Sequence, residues 1–314
     1  MGERMGPSRV LSNIYAAHTV IWSGMPVAFR ARRDGNLGVK VAQDLHDRAA
    51  EGVAYAYFAV STYSNRDAEE AYAYALKSIA LLKGVGEYWD LGIGLNFRDL
   101  AGMLVGRNLN EVLEDAEETI AIARNTGSPQ MLGFGLYGKA YALALIGDER
   151  IRTEGIKAAQ EAIEVLRRSQ DKPNGLLARS FLALAYDRAG MFDEAIQTTE
   201  EMGQLFPKHN NKGGWIHTLF PTGAQVYLDC VRRKSALTEE EKQKYLKRAK
   251  YFCSQALWRR SLFPYIRSHT DQVIGTYEWL KGNKRKAIEI WEKAVAHLRN
   301  HTKDAYRLAS ILLE

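Results

Sequence analysis

Small and aromatic residues recur along this chain at offsets that fit pairs of packed helices. Ala183 is followed by Tyr186 three positions later, by Gly190 seven later and by Ala195 twelve later. A short side chain lets two helices approach closely, and a glycine in the turn accepts a positive φ. Pro207, twelve residues after Ala195, predicts the end of the second helix, because proline cannot continue the backbone hydrogen-bond ladder.

The same offsets recur near the end of the chain. Gly275 is followed by Gly282 seven positions later and by Ala287 twelve later. Fainter copies elsewhere place one small residue at the equivalent point of each second helix. These positions are Ala71, Val112, Gly155, Ala195, Ala249 and Ala287. The pattern therefore predicts about six helical hairpins, most of them about 40 residues apart.

These residues resemble the tetratricopeptide repeat (TPR) family, whose consensus has small, aromatic, glycine and alanine positions in that order. The resemblance is firm over residues 175–207 and 268–300. It implies an all-α fold, a right-handed superhelix (α–α solenoid) of about six TPR-like hairpins. Repeats longer than the ordinary ~34 residues resemble the C-terminal helical regions of bacterial signalling ATPases and cyclases, and of maltose-activator-type transcription regulators.

The two ends of the chain carry weaker signals. We expect residues 1–45 to form a helical lead-in and residues 46–314 to form the superhelical domain. Within the lead-in, the sequence predicts a helix over residues 8–22 that Pro26 ends. It also predicts a turn between helices at residues 30–36. Residues 302–314 have apolar side chains on one helical face, at Ala305, Leu308, Ala309 and Leu312, which suits a C-terminal helix that caps the last repeat.

Composition narrows the location and the class of partner. The chain has 43 basic and 37 acidic residues, a formal net charge of +6, which by itself does not indicate nucleic acid. No apolar window reaches the ~20 residues of a membrane span, and the start lacks the apolar core of a signal peptide. Cys230 and Cys253 follow helical spacing, which predicts buried, reduced thiols. We therefore expect a cytoplasmic protein without membrane contact.

The candidate motifs for catalysis, cofactors or metals lack residues that their chemistry requires. The glycines of residues 84–86 and 92–94 lack the strand, spacing and Lys-Ser/Thr of a phosphate-binding loop, so we interpret them as loop and helix-packing positions. His209 and His217 flank a glycine-rich turn without Cys or carboxylate neighbours, and His297 and His301 have no third ligand in sequence. We expect a protein that is not an enzyme and holds neither cofactor nor metal.

The basic stretch of residues 232–250 is the strongest candidate for contact with nucleic acid. Glu239, Glu240 and Glu241 partly offset its charge, and Tyr245 and Phe252 have the spacing of residues buried against a partner helix. We interpret it as a solvated helix face, with Thr238 as the N-cap of that helix and the acids in its first turn. Nucleic acid is therefore not an expected partner.

The TPR resemblance implies a concave groove, lined by the first helix of each hairpin, that binds a protein or peptide segment. Carried over unit by unit, the groove positions combine charged residues with aromatic anchors. These partner-binding candidates are Lys139, Asp187, Arg188, His217, Phe220, Tyr227, His269, Gln272 and Trp279. The sister domains of a longer chain are a further candidate for the partner, because no nucleotide-binding or cyclase domain is recognisable here.

Three functions follow from this interpretation. The first is a regulatory or scaffolding module of a bacterial-type signalling protein that binds a protein segment in the groove. The second is a carbohydrate-active enzyme on a toroid of helical hairpins, which needs two carboxylates facing one cleft. The third is a small-molecule sensor whose enclosed pocket is lined by Trp215, Phe220 and Trp258.

Overall fold

The structure is a computed structural model that describes residues 6–25, 28–65, 67–208, 213–235, 237–301 and 304–314. Within these ranges the regular secondary structure is entirely helical. The α-helices in chain order are α1 (Arg9–Ser23), α2 (Ala28–Asp44), α3 (Arg48–Asn65), α4 (Ala68–Leu82), α5 (Tyr88–Leu104), α6 (Leu109–Thr126), α7 (Pro129–Ile146), α8 (Ile156–Arg168), α9 (Lys172–Arg188), α10 (Phe192–Lys208), α11 (Leu219–Arg233), α12 (Glu239–Arg259), α13 (Arg267–Leu280), α14 (Lys284–His301) and α15 (Ala305–Leu312). A π-helical turn (Ile151–Gly155) opens α8, and 3₁₀ turns at Gly214–Thr218 and Pro264–Ile266 precede α11 and α13.

Each odd-numbered helix packs on the even-numbered helix that follows it, from α1/α2 to α13/α14. The odd-numbered helices also pack on one another in sequence, from α1 on α3 to α11 on α13, and so form the inner row of the array. This arrangement is an α–α solenoid, as the sequence predicted. The six small residues expected in second helices lie on α4, α6, α10, α12, α14 and the turn before α8, and all six are buried.

Close helix contact explains the small residues. A Cβ atom on Gly275 would lie 2.2 Å from Nε1 of Trp291, and a Cβ atom on Gly223 would lie 2.7 Å from the Phe252 ring. The turn glycines Gly190 and Gly282 have φ angles of +74° and +88°, which side chains on L-residues disfavour. The matched offsets therefore encode both the approach of the paired helices and the turn between them.

Residues 30–36 do not form the predicted turn; they lie inside α2. Ala31, Gly35, Gly38 and Ala42 follow helical spacing and are buried. A Cβ atom on Gly35 would lie 2.7 Å from the Phe58 ring, so this glycine serves close packing on α3 rather than a turn. The α1/α2 pair packs on α3 as a further hairpin, and Pro26 lies outside the described residues.

Several smaller predictions are confirmed. Gly84 and Gly86 have positive φ in the loop before α5, whereas Gly92 and Gly94 lie within α5 against α7 and α4. Thr238 caps α12 in a capping box with Glu241. Cys230 and Cys253 are buried free thiols, and burial raises their pKa values to about 11 and about 12.

The last helix caps the array. Ile311 of α15 is buried in an apolar cluster with Trp291, Ala294 and Leu298 of α14, and Leu308 packs against it. This contact covers the apolar face that the final hairpin would otherwise leave open, as solenoids require at their ends. Among the described residues, none of the helices has the length and apolarity needed to pass through a bilayer.

Candidate functional site

The inner face of the solenoid is covered by the chain itself. The two 3₁₀ connectors, Gly214–Thr218 and Pro264–Ile266, both contact α3, so the array curves back on itself. The Tyr265 and Tyr63 rings are 4.7 Å apart between centroids. Trp215 lies 6.3 Å from the Phe97 ring, and its Nε1 donates a 3.2 Å hydrogen bond to Oδ1 of Asn174. Aromatic packing therefore closes part of the groove that the TPR resemblance implies.

A polar network, in which Arg232 and Arg233 are exposed and the other members are mostly buried, occupies the C-terminal half of the same face. We call it the groove cluster: Asp187 and Arg188 of α9, Gln225, Asp229, Arg232 and Arg233 of α11, and His269 and Gln272 of α13. Arg188 Nη1 lies 3.5 Å from Oδ2 of Asp229. His269 Nε2 and Gln225 Oε1 are 2.7 Å apart. Three successive inner helices thus bring their polar side chains to one place.

The groove cluster holds the segment that contains α15. Arg307 Nη1 donates a 2.7 Å hydrogen bond to Oε1 of Gln272, and Arg188 Nη2 donates one of 3.3 Å to the Tyr306 hydroxyl. The Glu314 carboxylate pairs with Arg232 at 2.7 Å. The Arg307 side chain is buried, with 5% of the residue exposed. Segment 304–314 is therefore bound through charged and hydrogen-bonded contacts as well as through its apolar face.

Burial shifts the titration of two groups in the cluster. The pKa of Asp187 is raised well above its usual value because the carboxyl is buried and lies beside Asp229, while Arg188 and Arg233 act in the opposite direction. Burial, with Arg307 and Arg188 nearby, lowers the pKa of His269 well below its usual value. At neutral pH His269 is thus an uncharged imidazole, which donates or accepts hydrogen bonds without adding charge.

Four of the predicted groove residues meet in this cluster: Asp187, Arg188, His269 and Gln272. We did not identify Gln225, Asp229 and Arg232 from the sequence, because the groove positions predicted on α11 are aromatic residues only. Their offsets of four and seven residues place them on one helical face, and that regular spacing of polar residues in an otherwise apolar helix was the available signal.

Lys139 lies elsewhere, on the outer side of the array. Its Nζ pairs with Glu117 of α6 at 2.9 Å and with Glu154 of the π-helical turn at 2.6 Å. Both partners belong to the even-numbered layer, so this lysine links two second helices. The expectation that Lys139 faces the groove is therefore corrected.

The aromatic candidates Phe220 and Tyr227 are core residues, with 3% and 1% of their surface exposed. Tyr227 packs on Tyr245 and Phe252 within its own hairpin and donates a hydrogen bond from its hydroxyl to Glu200. Bulky apolar rings at these positions fill the space between the paired helices, so neither can serve as an exposed anchor. The irregular length of this repeat had shifted the expected register.

His217 and Trp279 border the inner face without joining the cluster. His217 lies in a connector, its ring 3.8 Å from that of Phe263, and burial lowers its pKa to about 3. Trp279 is 37% exposed near the end of α13, with the Trp291 ring 5.7 Å away and the Lys284 ammonium over its face. Of the predicted aromatic anchors, Trp279 keeps an accessible ring.

The three residues expected to line a sensor pocket differ in their surroundings. Trp215 lies on the inner face, Phe220 is in the core, and Trp258 is 64% exposed with Arg259 over its ring. The described residues also contain no group of three His, Cys, Asp or Glu side chains that could hold a metal ion. His209 lies outside the described residues, as does the side chain of His301.

Comparison with known proteins supports the fold. A scan against protein-family models finds no match, and a search of the curated proteins finds no significant match. Among solved structures, the chain matches a signal transduction ATPase with numerous domains (STAND) protein with a tetratricopeptide repeat sensor, from Pyrococcus horikoshii. The TM-score is 0.50 and the identity 16%, over 96% of this chain and 45% of that chain.

The chain thus spans just under half the length of this neighbour. At 16% identity the likeness shows the fold alone, and the resemblance to the signalling-ATPase subtype stays a prediction. The packing of successive hairpins and this structural match together show that the chain has a TPR-like helical-repeat fold.

Proposed function

We propose that the chain is a regulatory or scaffolding module, not an enzyme, that binds a protein segment through the groove cluster. One observation carries the proposal. Arg188, Arg232 and Gln272, from three successive inner helices, all hold side chains of segment 304–314. A groove that grips a short helix of its own chain has the geometry to grip a similar segment of another chain or of a sister domain.

The chemistry of the bound segment describes the partner. Its contacts are a tyrosine hydroxyl, a guanidinium and a carboxylate, with Ile311 on the apolar side. A partner segment would therefore be a short amphipathic helix that carries an acidic residue for Arg232. Charged contacts of this kind favour selectivity over affinity. By analogy with the TPR sensor of the structural neighbour, we infer a role in signalling, with the cytoplasm as its place.

The enzyme alternative has less support. Its chemistry needs two carboxylates on opposite sides of a substrate. The buried pair on the inner face, Asp187 and Asp229, lies directly between Arg188 and Arg233, whose guanidinium nitrogens are 3.5 to 3.7 Å from these carboxylates. Because Asp229 lies directly beside Asp187, the two carboxyl groups do not face each other across a substrate.

The test compares the amount of partner protein captured by two kinds of variant. The first kind releases segment 304–314 from the groove cluster, and the second also reverses the charge of two arginines in that cluster. Ile311→Asp places a charge in the apolar contact of α15 and should release segment 304–314. The released variant should capture a partner protein more strongly than the unaltered chain, and purified partner should bind it directly. Adding Arg188→Glu and Arg232→Glu should abolish that gain.

Arg285→Glu on α14 is the matched control, because its side chain is 95% exposed and lies outside the cluster. Circular dichroism should give the same helical content for all variants apart from α15. Capture that is indifferent to the Arg188 and Arg232 changes would contradict the proposal, as would the same capture before and after the release of α15.

A further inference from the structure

A cavity of about 580 Å³ lies between the second and third hairpins and the C-terminal part of the array. One wall is formed by Tyr63, Ala68 and Leu104, at the ends of α3, α4 and α5. The opposite wall includes Arg260 and Arg267, which flank the connector into α13. The volume falls within the range of about 300–1,000 Å³ typical of small-molecule sites.

The wall near α13 is rich in positive charge. Arg260 forms an ion pair with Asp271, and Arg267 Nε lies 3.8 Å from the other oxygen of the same carboxylate. Two guanidinium groups therefore share one carboxylate. The side chain of Asp271 is 9% exposed, whereas that of Arg267 is 50% exposed and so has room to meet a ligand. Guanidinium groups match the geometry of carboxylate and phosphate oxygens.

The rest of the lining combines aromatic and aliphatic side chains with the polar residues Ser261, Ser268 and His297. The Tyr63 and Tyr265 rings lie together at the cavity, and Leu104 adds an aliphatic side chain. The Tyr265 hydroxyl already accepts a 2.8 Å hydrogen bond from the backbone N–H of His217. Tyr265 therefore offers mainly its ring to a ligand, and rings favour flat apolar or aromatic groups.

Asp304 is the acidic residue on the cavity wall. Its carboxylate accepts a 2.8 Å hydrogen bond from the backbone N–H of Arg307, which caps α15. Burial raises the pKa of Asp304, and the nearby Arg307 acts in the opposite direction. The cavity also borders the first turn of the helix that occupies the groove cluster.

We propose that this cavity binds a small organic anion, a carboxylate or phosphate ester attached to a flat apolar body, with Arg260 and Arg267 holding the negative group. Such a ligand contacts residues 63–104 and residues 260–304 at once and ties together two parts of the chain that are remote in sequence. This binding site is separate from the groove cluster and needs no protein partner. Its test therefore succeeds or fails independently of the proposed interaction function.

The test uses the full chain and four probes: 1-naphthyl phosphate, 1-naphthoate, uncharged 1-naphthol and inorganic phosphate. Titration calorimetry should give a Kd at least tenfold lower for the two naphthyl anions than for 1-naphthol or phosphate alone. Arg267→Gln should raise that Kd at least tenfold, while Arg285→Gln, a fully solvated arginine on α14, should leave it unchanged. Leu104→Trp should block binding by filling the cavity.

Hydrogen exchange shows where on the protein the ligand binds. On binding 1-naphthyl phosphate, the amides at the end of α3 and those of residues 265–268 should both become protected. Absence of naphthyl-anion binding, equal affinity for 1-naphthol, or equal effects of Arg267→Gln and Arg285→Gln would each overturn the proposal. Protection confined to other helices would overturn it as well, even if Leu104→Trp fails to fold.

Discussion

Individual glycines in this protein have two distinct roles that composition does not separate. Gly282 needs a positive φ and has no atom within 4 Å of a built Cβ position, whereas Gly275 is helical and presses against Trp291. Gly203 of α10 is helical too, but its nearest neighbour, an atom of Phe252, would be at 3.5 Å, an ordinary contact. Alanine should thus have opposite effects at the two helical sites.

Gly275→Ala should destabilise the fold by about 1–3 kcal/mol, because the added methyl group forces Trp291 or α13 to move. Gly203→Ala, its matched control, should stabilise the fold by about 0.5–1 kcal/mol through higher helix propensity. Thermal unfolding followed by circular dichroism measures both. A stabilising Gly275→Ala would mean that α13 and α14 are farther apart than described.

His217 predicts a pH dependence of stability. Burial, with Arg259 nearby, lowers its pKa from 6.5 to about 3. Between these values the unfolded chain binds the proton and the folded chain does not, so stability is complete above pH 6.5 and is lost as the pH falls towards 3. Each unit of pKa difference corresponds to about 1.4 kcal/mol.

His217→Phe removes this loss and keeps a ring beside Phe263. The melting temperature of the variant relative to the unaltered chain should therefore rise as the pH is lowered from 7 to 4. The difference in melting temperature between the two proteins at pH 7.5 gives the effect of packing alone and serves as the reference. Parallel pH profiles for the two proteins would show that the pKa of His217 is the same in the folded and unfolded states.

At the scale of elements, helix α15 makes two kinds of contact, one apolar and one polar. Ile311 and Leu308 pack on α14, while Tyr306 and Arg307 reach the groove cluster. The pattern of apolar residues located the helix, but of its predicted apolar face only Leu308 packs on α14; Ala305, Ala309 and Leu312 are exposed, and Ile311 is buried instead. It gave no information on the polar contacts, since these depend on residues of α9, α11 and α13.

A double-mutant cycle tests how much the groove cluster contributes to binding α15. Arg232→Glu and Glu314→Lys should each speed amide exchange in α15, because each breaks the 2.7 Å ion pair between these side chains. The double variant should recover about 0.5–1 kcal/mol through the reversed pair. The exposed pair of Arg285 and Glu289 provides the control cycle. Additive effects in the first cycle would refute a direct pairing.

At the scale of the whole molecule, the curvature of the array decides which surfaces are free. The connectors before α11 and α13 fold onto α3 and fill part of the inner face. Tyr265 is the residue that bridges most directly, through its ring against Tyr63 and its hydroxyl to the backbone of His217. The groove open to a partner is consequently shorter than the full row of inner helices.

Tyr265→Ala should loosen this closure. We expect a loss of about 1–3 kcal/mol in unfolding free energy and a larger radius of gyration by solution scattering, with helical content unchanged. Trp258→Ala truncates an exposed aromatic residue of the neighbouring helix α12 and should change stability by no more than about 0.5 kcal/mol. Equal radii for the two variants would mean that the connector does not hold the ends together.

The sequence by itself determined the helical hairpins, their buried small residues and the capping helix, because these follow from local periodicity and from the needs of close helix pairs. It misread α2, where packing glycines look like turn glycines. It identified only part of the groove cluster and misassigned Lys139, Phe220 and Tyr227. Only the tertiary structure decided these, because the contacts of segment 304–314 and of the connectors join residues far apart in the chain. A regular spacing such as that of Gln225, Asp229 and Arg232 shows that these residues share a helix face, but not which distant residues they contact.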